Sequence, residues 1–157
     1  MFVVSSCLLG NNCKYNGGNN YNEEVVEFCR THEFVLVCPE TSGGLKAPRM
    51  PAEQQYIKAS DGNLEIRVII DKEGNDLTDN FHKGAVVSLE LALKQADELG
   101  EEIEGAILKA NSPSCGSDHI YDGTFTGTLI SGDGIFANLL KKRGIPVMSE
   151  NNFKEKV

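Results

Sequence analysis

Phe34-Val35-Leu36-Val37-Cys38-Pro39-Glu40 is the stretch on which the fold turns. Four consecutive β-prone apolar residues read as a strand buried on both faces, the signature of a parallel sheet and not of a half-exposed antiparallel one. Pro39 cannot donate to a sheet ladder, so the strand stops there and leaves Cys38 and Glu40 at its carboxyl end. Phe2 to Ser6, Ile103 to Lys109 and Ile145 to Met148 repeat the pattern. Between them lie helical periodicities. The first runs from an Asn22 N-cap to about His32. The second runs from a Thr78 N-cap to Leu99, with Phe81, Ala85, Leu89, Ala92 and Leu93 on one side and Gly100 as the stop. The third covers Ile135 to Lys142 and is closed by Gly144.

Residues 41–55 contain Gly43, Gly44, Pro48 and Pro51 and read as a long irregular loop, a length that small domains reserve for function. Ile57 to Ser60 and Leu64 to Asp71 read as a hairpin around Asp61-Gly62. Asp122 to Thr128 reads as a small turn or hairpin, and a polar tail follows Met148. Alternating strands and helices predict an α/β fold: three layers, a mostly parallel sheet with helices on both faces, Rossmann-like, with a small β-hairpin insertion. The 157 residues fit a single domain spanning 1–157.

Composition narrows the function. Hydrophobic residues make up 40% and charged residues 24%, ordinary for a soluble globular chain, so the five cysteines are not needed as staples. Their odd number argues against a complete disulfide framework. The start has no basic n-region and no apolar run spans a bilayer, which predicts a cytoplasmic protein with reduced thiols and no membrane partner. A formal net charge of −8 repels a phosphate backbone and argues against a nucleic-acid partner, favouring a small-molecule substrate. Either a monomer or a homodimer fits.

In an open parallel sheet, ligands sit outside the carboxyl ends of the strands. Cys7 follows the first strand, Cys38 the second, and Cys115 lies in the loop Asn111-Ser112-Pro113-Ser114-Cys115-Gly116 after a third. The fold therefore places three distant thiols on one edge. Thiolates hold iron–sulfur clusters, and a cubane with three protein ligands keeps one iron open for a substrate atom. Taken singly, each cysteine reads equally well as a small core residue. Cys29, mid-helix beside Phe28, reads as core. Cys13 reads as a fourth ligand, a persulfide carrier or a loop bystander. Glu40 is a candidate general acid or base, with a solvated loop glutamate as the plainer reading. Ser112 and Ser114 either bond a substrate or form the turn. Arg49 is either an anion clamp or a surface cation. His32, His82 and His119 show no paired metal spacing.

At these residues the chain closely resembles a bacterial family first known only as a domain of unknown function and now represented by thiouracil desulfurases. The resemblance rests on Ser6-Cys7-Leu8-Leu9-Gly10 with Tyr15-Asn16-Gly17-Gly18, on Val37-Cys38-Pro39-Glu40, and on Gly43-Gly44-Leu45 with Pro48-Arg49-Met50-Pro51-Ala52-Glu53. Ser112-Pro113-Ser114-Cys115-Gly116, Asp122-Gly123-Thr124-Phe125-Thr126-Gly127 and Gly144-Ile145-Pro146-Val147 complete it, in order over the whole chain. The family usually has aspartate at the position of Asn16 and often histidine at that of Asn19, which touches loop contacts to substrate and not the cysteines.

The resemblance implies a [4Fe–4S] cluster with one open iron on Cys7, Cys38 and Cys115, and non-redox removal of sulfur from a thiolated pyrimidine (thiouracil or a thiouridine nucleotide). In that scheme the open iron polarises the thiocarbonyl as a Lewis acid, Glu40 activates water, and Ser112 or Ser114 relays a proton or holds the ring. Arg49, Tyr15 and Gly17 are expected against the substrate. The competing reading is a non-catalytic nucleotide- or anion-binding domain with a structural zinc, for which Cys13 is the obligatory fourth ligand. A cysteine-nucleophile hydrolase lacks a histidine base.

Overall fold

The computed structural model describes residues 1–58 and 65–157. In chain order its elements are β1 (Phe2–Ser5), a 3-10 turn (Ser6–Leu9), α1 (Glu23–Cys29), β2 (Phe34–Val37), α2 (Pro39–Ser42), β3 (Ala52–Lys58), β4 (Glu65–Asp71) and α3 (Thr78–Leu99). There follow β5 (Gly105–Leu108), β6 (His119–Tyr121), β7 (Leu129–Ser131), α4 (Ile135–Lys142), β8 (Val147–Ser149) and α5 (Phe153–Lys156).

β2, β1, β5 and β8 form, in that order, one all-parallel sheet, and β3–β4 and β6–β7 form two antiparallel hairpins. Successive residues of the central strands point to opposite faces. Val3, Val35, Val37, Ala106, Leu108 and Val147 pack with Ala85, Leu89, Ala92 and Ala96 of α3 and Phe136, Ala137 and Leu140 of α4. Phe2, Val4, Ile107 and Met148 pack on the other face with Val25 and Cys29 of α1 and Phe153 of α5. The three-layer α/β architecture is thus the one expected, and Cys29 is core.

Several boundaries differ from expectation. α1 ends at Cys29 and not near His32, because Phe28's carbonyl is occupied: Thr31 N lies 3.2 Å and His32 Nδ1 2.9 Å from it. The His32 ring stacks on Phe28 at 3.8 Å. Thr78 is the first residue of α3 and not its cap; its Oγ accepts from Ile69 N at 2.9 Å and donates to Asp76 at 2.6 Å. The irregular loop is shorter at both ends. Pro39 opens the short helix α2, since proline suits a first helical position. β3 begins at Ala52, where register with Asp71 overrides the weak strand propensity of Ala-Glu-Gln-Gln. The expected Asp61-Gly62 turn lies outside the described residues. Asp122 to Thr128 is the connection of β6 to β7, and the polar tail carries α5, anchored by buried Phe153.

α2 is held against α3 at two glycines. A Cβ on Gly84 would lie 1.7 Å from the Pro39 carbonyl oxygen, and one on Gly43 would lie 2.1 Å from that of Asn80. Backbone meets backbone here, so the segment after Cys38 has a fixed seat. β1 lies between β2 and β5, so strand order reverses beside it. The crevice outside the carboxyl ends at such a reversal is where open α/β sheets take ligands.

Candidate active site at the carboxyl edge of the sheet

Four cysteines line one cavity of 510 Å³ at that edge: Cys7, Cys13, Cys38 and Cys115. The size is that of a small-molecule site. Cys7 sits in the 3-10 turn that ends β1, and Asn20 Nδ2 donates to its sulfur at 3.4 Å. Cys38 occupies the N-cap position of α2, with its sulfur 3.1 Å from Thr41 Oγ1. Cys115 is buried; its N–H donates to Ser112 Oγ at 2.7 Å, and Ser114 Oγ lies 3.7 Å from its sulfur. Cys13 comes from the loop above and its thiol faces both Cys7 and Cys38.

The thiols differ electrostatically. Donation from the Cys13 thiol, then from Thr41, lowers the Cys38 pKa to about 6 against the opposing effect of burial. Cys13, Asn20 and the charge of Lys109 likewise lower that of Cys7. Cys13, whose single thiol proton either sulfur can take as a hydrogen bond, is pushed up from the ordinary cysteine value. Burial pushes Cys115 up to about 12, although the Ser5 hydroxyl donates to its sulfur.

Glu40, at the first turn of α2, reaches the cavity between two partners. Ser114 Oγ donates to its Oε2 at 2.8 Å, and Arg49 reaches its Oε1 through Nε at 3.4 Å and Nη2 at 3.3 Å. Ser112 Oγ lies 3.3 Å from Ser114 Oγ, continuing the chain. Arg49 Nη2 also donates to the Cys13 carbonyl at 2.9 Å, and Arg49 N to that of Tyr15 at 2.6 Å. Its guanidinium therefore ties Glu40 to the Cys13 loop. Tyr15 lines the cavity; Gly17 is not among the lining residues and turns the loop at φ 80° with its N–H on Lys14 O at 2.9 Å.

Lys109 was not singled out in the sequence, yet it lines the cavity and pairs with Glu150 at 2.7 Å. Lys14, Lys72 and Arg49 also line it, a local excess of cations in an acidic chain. Glu53 and Phe125 belong to the same wall. No periodicity marks Lys14, Lys72 and Lys109, whereas Arg49, Glu53 and Phe125 lie in the segments that carry the family resemblance.

Depressed thiols beside buried, hydrogen-bonded ones and nearby lysines suit an anionic metal–sulfur group. A single ion is fitted less well: among the described residues no three His, Cys, Asp or Glu side chains converge as ligands for one metal ion. The thiols surround a space.

The 2-thiouracil desulfurase family model matches residues 2–152. The chain belongs to that family. It is 40% identical to the uncharacterized protein YbbK of Bacillus subtilis strain 168 over 99% of both chains. A solved structure, that of the [4Fe-4S]-dependent thiouracil desulfidase TudS, superposes with a TM-score of 0.77 at 35% identity over 98% of this chain and 93% of that one. As a 2-thiouracil desulfurase family member the chain is an enzyme of the desulfidase class. No helix among the described residues is long and apolar enough to cross a membrane.

Proposed function

We propose that this enzyme hydrolyses the thiocarbonyl of a thiolated pyrimidine, thiouracil or a thiouridine nucleotide. Carbon–sulfur and water O–H bonds break, a carbon–oxygen bond forms, and sulfur leaves as sulfide at unchanged oxidation state. No external reductant is required. The observation that carries this reading is the convergence of Cys7, Cys38 and Cys115, from three loops of one sheet edge, around a cavity that also holds the Glu40–Ser114 pair. The cysteines would hold a [4Fe–4S] cluster with one open iron. When bound, that group supplies a Lewis acid for the thiocarbonyl sulfur.

The chain's own residues do the rest. Glu40 Oε2, once exchanged from Ser114 to a water molecule, is the atom that accepts its proton, while Arg49 holds the other oxygen. Ser114, backed by Ser112, returns a proton to the ring or its leaving sulfur. Asn20, Thr41 and Ser5 donate to the ligand sulfurs, and Lys109 offsets their charge. The reading also requires a reducing cytoplasm. Its test is anaerobic reconstitution with iron and sulfide, then metal analysis, the visible spectrum and sulfide release from 2-thiouracil. The expected result is a brown protein with stoichiometric iron and equimolar sulfide and uracil, with both lost in Cys115→Ser. A colourless protein that binds zinc, or none, would overturn it.

A further inference from the structure

Phe125 is the one bulky apolar residue of the described chain with a left-handed backbone, at φ 57°. Side chains of its kind rarely adopt that conformation, and where they do the surroundings must hold them there. The surroundings here are specific. Glu53, buried at 8% exposure, gives a single carboxylate oxygen to Gly123 N at 3.0 Å and Phe125 N at 3.1 Å. Gln55 Nε2 donates to Gly123 O at 3.0 Å from the same strand. Gly123 is pressed so closely on β3 that a Cβ would lie 2.7 Å from the Gln54 carbonyl oxygen. Asp122 N bonds Thr128 O at 3.0 Å and closes the loop. A buried carboxylate is thus spent on fixing one loop, and Phe125 at its tip lines the cavity of the four cysteines.

We infer that Phe125 is a stacking platform for the flat heterocycle of the substrate and that Glu53 is the positioning residue that holds it; this rests on the function proposed above. An aromatic ring held in one place offers a face to any planar conjugated ring, independent of the sulfur that the thiols' side of the cavity would handle. The pair therefore selects a ring-borne thiocarbonyl over an acyclic one such as thiourea.

Uracil has the ring and lacks the sulfur, so its binding isolates this contact. Calorimetric titration of uracil into reconstituted wild type, Phe125→Leu, Phe125→Tyr and Glu53→Gln is the experiment. Stacking energies of a base on an aromatic side chain predict an affinity loss of about tenfold in Phe125→Leu. The tyrosine variant should bind as wild type does, and Glu53→Gln should weaken binding while iron content and visible spectrum stay unchanged. KM for 2-thiouracil should rise in parallel with kcat nearly constant. Equal uracil affinity in wild type and Phe125→Leu, no uracil binding by wild type, or a Glu53→Gln protein that loses only thermal stability would each overturn the inference. Failure of the parent reading shows separately, as wild type that carries iron and binds uracil but releases no sulfide.

Discussion

Glu40 has two carboxylate oxygens, and each has its own neighbour: a serine hydroxyl that can exchange with water on one, a guanidinium on the other. In the proposed reaction only the oxygen facing Ser114 is open to take a proton from water. Glu40→Gln keeps the shape and removes the base, so cluster spectrum and iron content should match wild type while 2-thiouracil turnover falls by about 10²-fold or more; full activity would remove Glu40 from the reaction. The thiols give a second residue-level prediction. The Cys38 pKa is lowered to about 6, and raising pH through that value converts it to the reactive thiolate. In cluster-free protein, iodoacetamide labelling of Cys38 should therefore be slow at acid pH and near maximal by neutrality. Cys29, held at about 11, and Cys115, at about 12, should stay unlabelled throughout. Peptide mapping across a pH series checks this. Cys7, Cys38, Cys115 and Glu40 were legible in the sequence because each follows a strand end whose direction the fold fixes. Cys13 was legible only as one of three alternatives and Lys109 not at all, because their contacts are made across the sheet edge. Arg49 was legible as an anion clamp, but not the carboxylate it meets in the folded loop, that of Glu40, nor its bond to the Cys13 carbonyl.

At the scale of elements, the seam between α2 and α3 places the chemistry. Gly84 is far along the chain from every cysteine, but its missing side chain lets the Pro39 carbonyl sit against α3 and thereby aims Cys38 and Glu40. Gly84→Ala should cost about 1–3 kcal/mol through overpacking, seen as a Tm several degrees lower. It should also reduce turnover by displacing α2, whereas alanine at the exposed Gly74 meets no neighbour and, although its φ of 89° strains the side chain and lowers Tm, should leave turnover unchanged. Thermal denaturation and sulfide release on the two variants test the point. α4 and β2 could be read to the residue, and α3 to within one at its start, from apolar spacing and flanking Gly, Pro and Thr. α2 and the start of β3 were hidden for opposite reasons. A proline that ends one element also begins the next, and Ala-Glu-Gln-Gln becomes a strand only because Asp71 to Val68 lies alongside it.

At the scale of the whole molecule, the net charge is −8 while Lys14, Arg49, Lys72 and Lys109 line the cavity. Thiolated tRNA should accordingly bind weakly, with no steep dependence on salt, while a free thiolated base is processed; filter binding at two salt concentrations decides between them. Metal identity is also a property of the whole assembly. Cys13→Ser should retain iron, because the sheet edge presents Cys7, Cys38 and Cys115 without it, whereas a zinc protein would lose its ion with the fourth thiol. The burial of Cys115 carries a last consequence, one of sequence in time. Cys7, Cys13 and Cys38 are partly exposed, while Cys115 is buried with its amide pinned to Ser112. Were iron and sulfide to load there, Cys115 would be the thiol least open to them, and its peptide the last to be modified by a thiol reagent during reconstitution.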